Sequence, residues 1–368
     1  MQRKKLTGIQ ALRGIAAIGV VTCHLLGFES NNLAGPGITP RACQYGMAGV
    51  DLYFVISGFI ITTMCMGHFG RSGEAWRFLW RRFLRIYPTY WVWCFAILAV
   101  FLVRPEMINS THGRPNLLRS ILLLPQQNLP LLLVSWTLVY EVFFYILFAC
   151  ALRWLREQNM VYALLSWAAV IVLGRSMFAA SQSNPWLALL VSPLLLEFIM
   201  GCGLALYVRA LSFKVALASL LLGVAGLMAS MAVLAMHGSE FPPSWSWGRT
   251  LTFGTSSALI VAGVVALESC GWRCFPRSVE KLGDASYSLY LSHVPVVGVV
   301  GLLWRHLVPA PTPVVHAIAL GSAFGTAMIG GFTSYWMIET PLIQVSRDWH
   351  DIAARLTCPL QARGCNDR

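Results

Sequence analysis

Charge is what this sequence has least of. Asp and Glu together number 15 and Lys and Arg 27 in 368 residues, so charged positions make up 11% of the chain, against roughly 25% in an average soluble domain. That scarcity excludes an ordinary water-soluble globule. Internal repeats, low-complexity runs and polar linkers are missing too, and no polar stretch is long enough for a sizeable soluble domain. The ten cysteines show no paired Cys-x-x-Cys spacing, and no cluster of metal-ligand type occurs, so no metal site is expected.

What is present is apolar length. Hydrophobic residues are 57% of the chain, mean hydropathy is +0.64, and a membrane span needs about 20 mainly apolar residues. Such runs recur near 9–28, 48–66, 84–103, 134–152, 160–178, 187–208, 213–236, 250–268, 286–305 and 314–337. The expected fold is an all-α integral membrane bundle of about ten transmembrane helices, with N-terminus and C-terminus cytoplasmic. A membrane domain over 1–340 is followed by a short cytoplasmic tail over 341–368. The longer loops are 29–47 and 104–133. Within the second, Leu117–Leu124 is apolar but too short to span and is followed by Pro125 and Pro130, so it reads as a surface or re-entrant stretch. The basic start Met1–Lys5 ahead of an apolar run suggests a secretory signal, but the run is long, contains Arg13 and His24, and lacks a small-residue cleavage site.

The net charge of +12 raises the question of nucleic acid. The cations sit instead in short segments between apolar runs, and topology accounts for them: 20 fall on the expected inner side and 7 outside (Arg41, Arg104, Arg114, Arg119, Arg175, Arg249 and Arg305). This follows the tendency of cytoplasmic loops to be rich in Lys and Arg. Cys23, Cys65, Cys94, Cys150 and Cys202 fall in or beside apolar runs, where they pack as small residues. Cys43 is placed outside, and Cys358 and Cys365 in the tail. No structural disulfide is expected.

An ionisable residue inside a span costs about 2.5–3.5 kcal/mol on insertion scales, so each one needs a partner or a purpose. Arg13 and His24 lie 11 residues apart on the first span, about three turns, facing nearly the same way roughly 16 Å apart. Arg13 suits a ligand phosphate arriving from the cytoplasm, although snorkelling to the inner interface accounts for it equally. Asp51, early in the second span, falls at a depth similar to that of His24 and permits a His–carboxylate dyad, with a structural hydrogen bond as the alternative. Glu141, about two turns into the fourth span, is placed near the same depth. Seven residues beyond Asp51, Gly58 allows close approach of a neighbouring helix. Arg82 and Arg85, three apart on one helix face, suit a clamp on phosphates or are ordinary inner-face charge. Tyr140, Tyr287 and His293 are candidates for lining a substrate cavity, His293 equally for packing. Glu197 and Glu339 are weaker candidates and are assigned no chemistry, since Glu339 lies near the inner end of the last span, where simple solvation accounts for it.

Taken together, Gln10-Ala11-Leu12-Arg13-Gly14 with His24, the GVDLYFVISGF stretch from Gly49, RRFLRIYP from Arg81, SWTLVYEVFFY from Ser135 and LGDASYSLYLSH ending at His293 resemble the acyltransferase-3 family of membrane-bound acyltransferases. The motifs match in order over nearly the whole chain and are most similar to the exopolysaccharide-production O-acetyltransferases of that family. The resemblance implies about ten helices and transfer of an acyl group, usually acetyl from cytoplasmic acetyl-CoA, to a sugar hydroxyl of an envelope glycan. It assigns the family's first-span arginine and histidine to Arg13 and His24, its arginine pair to Arg82 and Arg85, and its acidic residues to Asp51 and Glu141.

On that basis His24, Asp51 and Glu141 are the expected catalytic residues, and Arg13, Arg82 and Arg85 the expected acyl-CoA contacts. The expected partners are acyl-CoA, a glycan or lipid-linked saccharide acceptor and membrane lipids, with no nucleic acid, and the expected location is the bacterial inner membrane. Direct transfer with His24 as base and transfer through an acylated His24 remain open. The rival readings are a transporter or flippase of glycan or lipid intermediates, since buried charges also mark transport pathways, and a non-catalytic sensor.

Overall fold

The structure is a computed structural model that describes residues 6–108, 113–177, 184–307 and 312–344, with the side chain of Arg209 left aside. Among the described residues every regular element is helical. In chain order these are α1 (Thr7–Asn32), α2 (Ala48–Cys65), α3 (Glu74–Val103), α4 (Leu117–Ile121), α5 (Trp136–Trp154), α6 (Met160–Met177), α7 (Pro185–Leu190), α8 (Leu195–Tyr207), α9 (Phe213–Met236), α10 (Trp247–Arg249), α11 (Thr255–Ser269), α12 (Arg277–Asp284), α13 (Ser286–Leu307) and α14 (Pro313–Ser334). A π-turn over Thr250–Gly254 joins α10 to α11, and another over Tyr335–Glu339 carries the last helix onward.

Among the described residues ten helical stretches are long and apolar enough to cross a membrane. They match the expected spans to within a few residues at most ends, but the third begins at Glu74 rather than near 84 and takes Arg77, Arg81, Arg82 and Arg85 onto the helix. The last runs from Pro313 to Gln344, past the expected domain end at 340. Cys358, Cys365 and nearly all of the expected tail lie outside the described residues. Eight cysteines, Cys43 among them, are free thiols. The stretch Leu117–Leu124, read as surface or re-entrant, holds the short helix Leu117–Ile121, its first turn capped by Asn116, whose side chain accepts from the Arg119 amide at 2.9 Å.

Two faces emerge from the loop contacts. On the proximal face, which holds the first turn of α1, Glu268 accepts from the Thr7 and Gly8 amides at 2.8 and 3.0 Å, the Gly67 amide donates to Glu157, and the Gly70 amide to the Leu152 carbonyl. On the distal face Glu29 accepts from the Ile38 and Thr39 amides and meets His316, Arg305 reaches the Asn31 carbonyl, and the Phe241 amide donates to Gln44. Segments joined by consecutive crossings thus bond within their own face, as alternating passage requires.

Glycine sets the tightest crossings. A Cβ added at Gly58 would fall 2.1 Å from the Phe198 carbonyl oxygen, and one at Gly201 2.0 Å from that of Val55, so α2 and α8 meet backbone to backbone. Gly14 and Gly283 do the same for α1 and α12. The rim is apolar: Leu221, Leu222 and Met228 of α9 and Ile329 of α14 are at least 60% exposed, a surface that suits lipid far better than water. The chain is a multi-pass membrane protein.

Candidate active site

The first site grows from α3. Arg82 and Arg85 project from one face of that helix toward Arg13 of α1, and with Ser57, Glu141 and Tyr287 they line a cavity of about 130 Å³ between α1, α2, α3, α5 and α13. The three arginines named from the sequence therefore share one space. Their partners differ. Arg85 is ion-paired with Glu339, which also accepts from Ser288 at 2.6 Å, and its guanidinium lies 5.4 Å from the Tyr287 ring centre. Glu339 is 1% exposed, so the expectation of a solvated carboxylate is corrected: the cation of α3 draws it inward.

Arg82 has no carboxylate among the described residues. Its Nη2 rests on the Met64 sulfur at 3.4 Å, its guanidinium lies 5.5 and 5.6 Å from the ring centres of Phe78 and Tyr145, and its Nε is buried without an acceptor. Arg13 likewise has no carboxylate within ion-pair distance among the described residues. Glu141 is occupied by neutral donors, the hydroxyls of Tyr145 and of Ser57 at 3.3 Å. The cavity is therefore cationic, with donors left over for an anion.

Tyr290 and Thr137 close this cavity. Their hydroxyls are 2.7 Å apart, and the Tyr290 ring lies 6.0 Å from that of buried His293. There His24 and His293 meet edge to face, with centroids 4.9 Å apart. The Nδ1 of His293 donates to the Leu289 carbonyl at 3.1 Å, which leaves its Nε2 as an acceptor. The Nδ1 of His24 is 2.8 Å from the Val20 carbonyl and 3.3 Å from His293 Nε2, so it carries the hydrogen. The lone pair of His24 is thereby fixed on Nε2, which has no protein partner among the described residues.

Neither expected carboxylate touches His24. Asp51 is 0% exposed and grips Arg249 through two bonds, Nε at 2.9 Å and Nη2 at 3.0 Å. The physical reason is the cost of burial: a carboxylate at that depth needs a fixed cation, and α10 supplies it. Glu197 brings a second buried carboxyl to the same pair. Glu141 lies with the arginines and Tyr145 rather than at the histidines. The cavity candidates also divide: Tyr287 lines the arginine cavity and donates to the Ile86 carbonyl at 2.8 Å, whereas Tyr140 faces a different, distal one of about 540 Å³ together with Trp136, Arg249 and Trp245.

Sequence reasoning missed Arg249, which counted as an outer-loop charge, and the pairing of Glu339. For Arg249 the available signal was a lone arginine at the head of an apolar run, opposite an otherwise unpartnered buried aspartate. No group of three or more His, Cys, Asp and Glu suited to a metal ion occurs among the described residues.

The comparisons with known proteins agree on one class. The sequence model of the acyltransferase domain (acyltransferase-3) matches residues 6–332. The exopolysaccharide production protein ExoZ of Rhizobium meliloti is 29% identical over 327 residues, 86% of this chain and 94% of that protein. The O-acetyltransferase OatA of Staphylococcus aureus is 24% identical over 92% of this chain, and the peptidoglycan O-acetyltransferase OatA of Listeria monocytogenes 22% identical over 80%. The alignments take in 57% and 50% of those two longer proteins. No solved structure matches.

Proposed function

This chain belongs to the acyltransferase-3 family and is a membrane acyltransferase, and from that premise we propose that it moves an acetyl group from cytoplasmic acetyl-CoA to a sugar hydroxyl of an exopolysaccharide or related envelope glycan. The observation that carries the reading is the cationic cavity of Arg13, Arg82 and Arg85 ending at the wall shared with the His24–His293 pair. The proximal face is cytoplasmic, since it carries the richer share of Lys and Arg, and the membrane is the bacterial cytoplasmic membrane.

Acetyl-CoA enters from the proximal side, its phosphates held by Arg82 and the neighbouring cations of α3, and its thioester arm passes Arg13 toward Tyr290. His24 acts through Nε2. In direct transfer it takes the proton of the sugar hydroxyl while the hydroxyl oxygen attacks the thioester carbonyl. The C–O bond forms, the C–S bond breaks, and the proton passes to the sulfur of the departing CoA. In the two-step route the same lone pair attacks the thioester carbonyl, the C–N bond forms as the C–S bond breaks, and CoA departs as thiolate. The sugar oxygen then attacks the acetyl carbonyl, the C–N bond breaks, and the hydroxyl proton passes to the thiolate. In both, positive charge grows on His24, and the Nδ1 hydrogen that fixes the ring is shared between the Val20 carbonyl at 2.8 Å and His293 Nε2 at 3.3 Å. His293 is a positioning residue in the place where an acidic one was expected. Asp51 instead secures the helices around the site.

The test is the ester-linked acetate of envelope and secreted polysaccharide in cells carrying wild type, His24→Ala or no copy, at matched protein levels. General acid–base catalysis contributes roughly 10²–10⁴-fold, so acetate in His24→Ala falls to the level of the null. Wild-type acetylation in the variant removes His24 from the chemistry, and equal acetate in all three strains removes the transfer reading.

A further inference from the structure

α5 is a partition. At about 100° per residue, Thr137, Leu138 and Glu141 line the arginine cavity, while Trp136, Val139 and Tyr140, offset around the helix, line the 540 Å³ distal cavity. A further distal cavity of about 510 Å³ holds Arg114 and Arg119 and shares Gln126, Gln127, Asn128 and Pro185 with its neighbour, so the two form one groove. Each lies in the range of about 300–1,000 Å³ typical of ligand sites. Aromatic faces belong to the larger cavity, which Trp136, Phe241 and Trp245 line together with Tyr140. Met47, also in the groove wall, precedes α2, and the neighbouring Gly46 meets Gly19 of α1 five residues before His24.

The charge of this groove is one-sided. Among the described residues no carboxylate lines either cavity. Arg249 is held by Asp51, but Arg114, Arg119 and Arg175 have no acidic partner among the described residues, and the only side-chain bond Arg119 makes there is to the Pro125 carbonyl at 3.1 Å. Arginine on this face runs against the tendency of membrane proteins to keep cations inside, and its concentration along a groove calls for a ligand. The three cations stand on two segments, Arg114 just before α4 and Arg119 within it, and Arg175 at the end of α6. Spread in this way, they fit charges that recur along a chain better than one compact diphosphate.

We propose that the distal groove binds the acceptor, and that the acceptor is an anionic oligosaccharide carrying carboxylates at intervals. Its sugar rings lie on Trp136, Tyr140 and Trp245, and its carboxylates meet Arg114, Arg119 and Arg175. The proposal rests on the acetyl-transfer reading and adds the class of acceptor.

Anion-exchange chromatography of the polysaccharides tests it, with acetate released by mild base measured in each fraction. Cells carry wild type, His24→Ala or the triple variant Arg114→Gln/Arg119→Gln/Arg175→Gln. The expected result is His24-dependent acetate in the retained, anionic fraction, reduced at least tenfold by the triple variant, while the purified triple variant binds acetyl-CoA as wild type does. Should the triple variant fail to fold, Arg175→Gln and Trp245→Ala singly lower the same acetate at least threefold. The proposal is overturned by His24-dependent acetate confined to neutral glycan, by acetate confined to a lipid diphosphate with neutral sugars, or by full acetylation in folded variants. Absence of His24-dependent acetate from every fraction defeats the transfer reading itself, and the groove assignment with it.

Discussion

The two sides of α5 hold arginine in opposite ways. On the proximal side Arg85 is locked to a buried Glu339 and stacked beside Tyr287, and Arg82 sits among aromatic rings. These cations are fixed on a single helix before any ligand arrives. On the distal side Arg114 and Arg119 come from the α4 segment and Arg175 from α6, without acidic partners among the described residues. A rigid set suits an invariant cofactor-like donor, whose phosphates always present the same geometry. A dispersed set suits a polymer. On the proposed assignment, the contrast teaches that donor and acceptor are recognised by different architectures on the two sides of one helix.

The largest effect is expected at the seam between them. Arg249 is bonded to Asp51 and faces the groove, with its guanidinium 4.9 Å from the Phe241 ring centre. Arg249→Ala leaves a buried carboxylate uncompensated and destabilises the fold by about 3–5 kcal/mol. Thermal unfolding in detergent, read by tryptophan fluorescence, measures it. Arg249→Met/Asp51→Leu, which removes both charges, recovers most of the loss. If the double variant were as unstable as the single, Asp51 would have a role beyond pairing, and the separation of seam from catalytic centre would fail.

That pairing marks the limit of what the sequence could disclose. Apolar length and the positions of Arg, His and Asp along each run give depth in the membrane, and depth was right for Arg13, Arg82 and Arg85, which share a cavity. Depth does not give rotation about the helix axis, nor which helix stands beside which. Asp51 does not share the depth of His24: Gly46 meets Gly19 and Gly49 meets Ala16, which sets Asp51 opposite Gly14, and it turns to Arg249, 198 residues away. Tyr140 and Glu141 are adjacent in sequence and fall on opposite sides of α5. Glu339 looked solvated because only its distance from the span end was visible, not the arginine of α3 facing it. Gly58 was legible because the absence of a side chain has one geometric use in an apolar helix, and there the backbone of α8 arrives.

A smaller effect is expected at the meeting point. If His293 orients His24 through the Nε2 contact at 3.3 Å, His293→Ala lowers kcat for acetyl transfer by about 10- to 100-fold, at the lower end of what acid–base assistance supplies. KM for acetyl-CoA stays within about twofold, because His293 does not line the arginine cavity. His293→Gln, which keeps an acceptor near that position, restores part of the rate. A merely structural histidine would change kcat and unfolding temperature together and would not distinguish Gln from Ala.

The smallest effect sharpens the comparison itself. Arg82 is the proximal cation with a buried Nε lacking an acceptor and without a carboxylate among the described residues, so its removal costs the protein no ion pair. Arg82→Gln is expected to weaken acetyl-CoA binding about tenfold, or about 1.4 kcal/mol, with little change in unfolding temperature. Added salt narrows the difference only modestly, since a partly buried charge is screened less than an exposed one. Isothermal titration with acetyl-CoA and with desulfo-CoA separates phosphate recognition from thioester recognition: both ligands lose the same factor if Arg82 holds phosphate. Arg175→Gln, measured alongside, leaves both affinities untouched, because that arginine lies across α5. A loss of donor affinity in Arg175→Gln equal to that in Arg82→Gln would mean that the two sides of α5 form one site, and the division of labour between them would have to be abandoned.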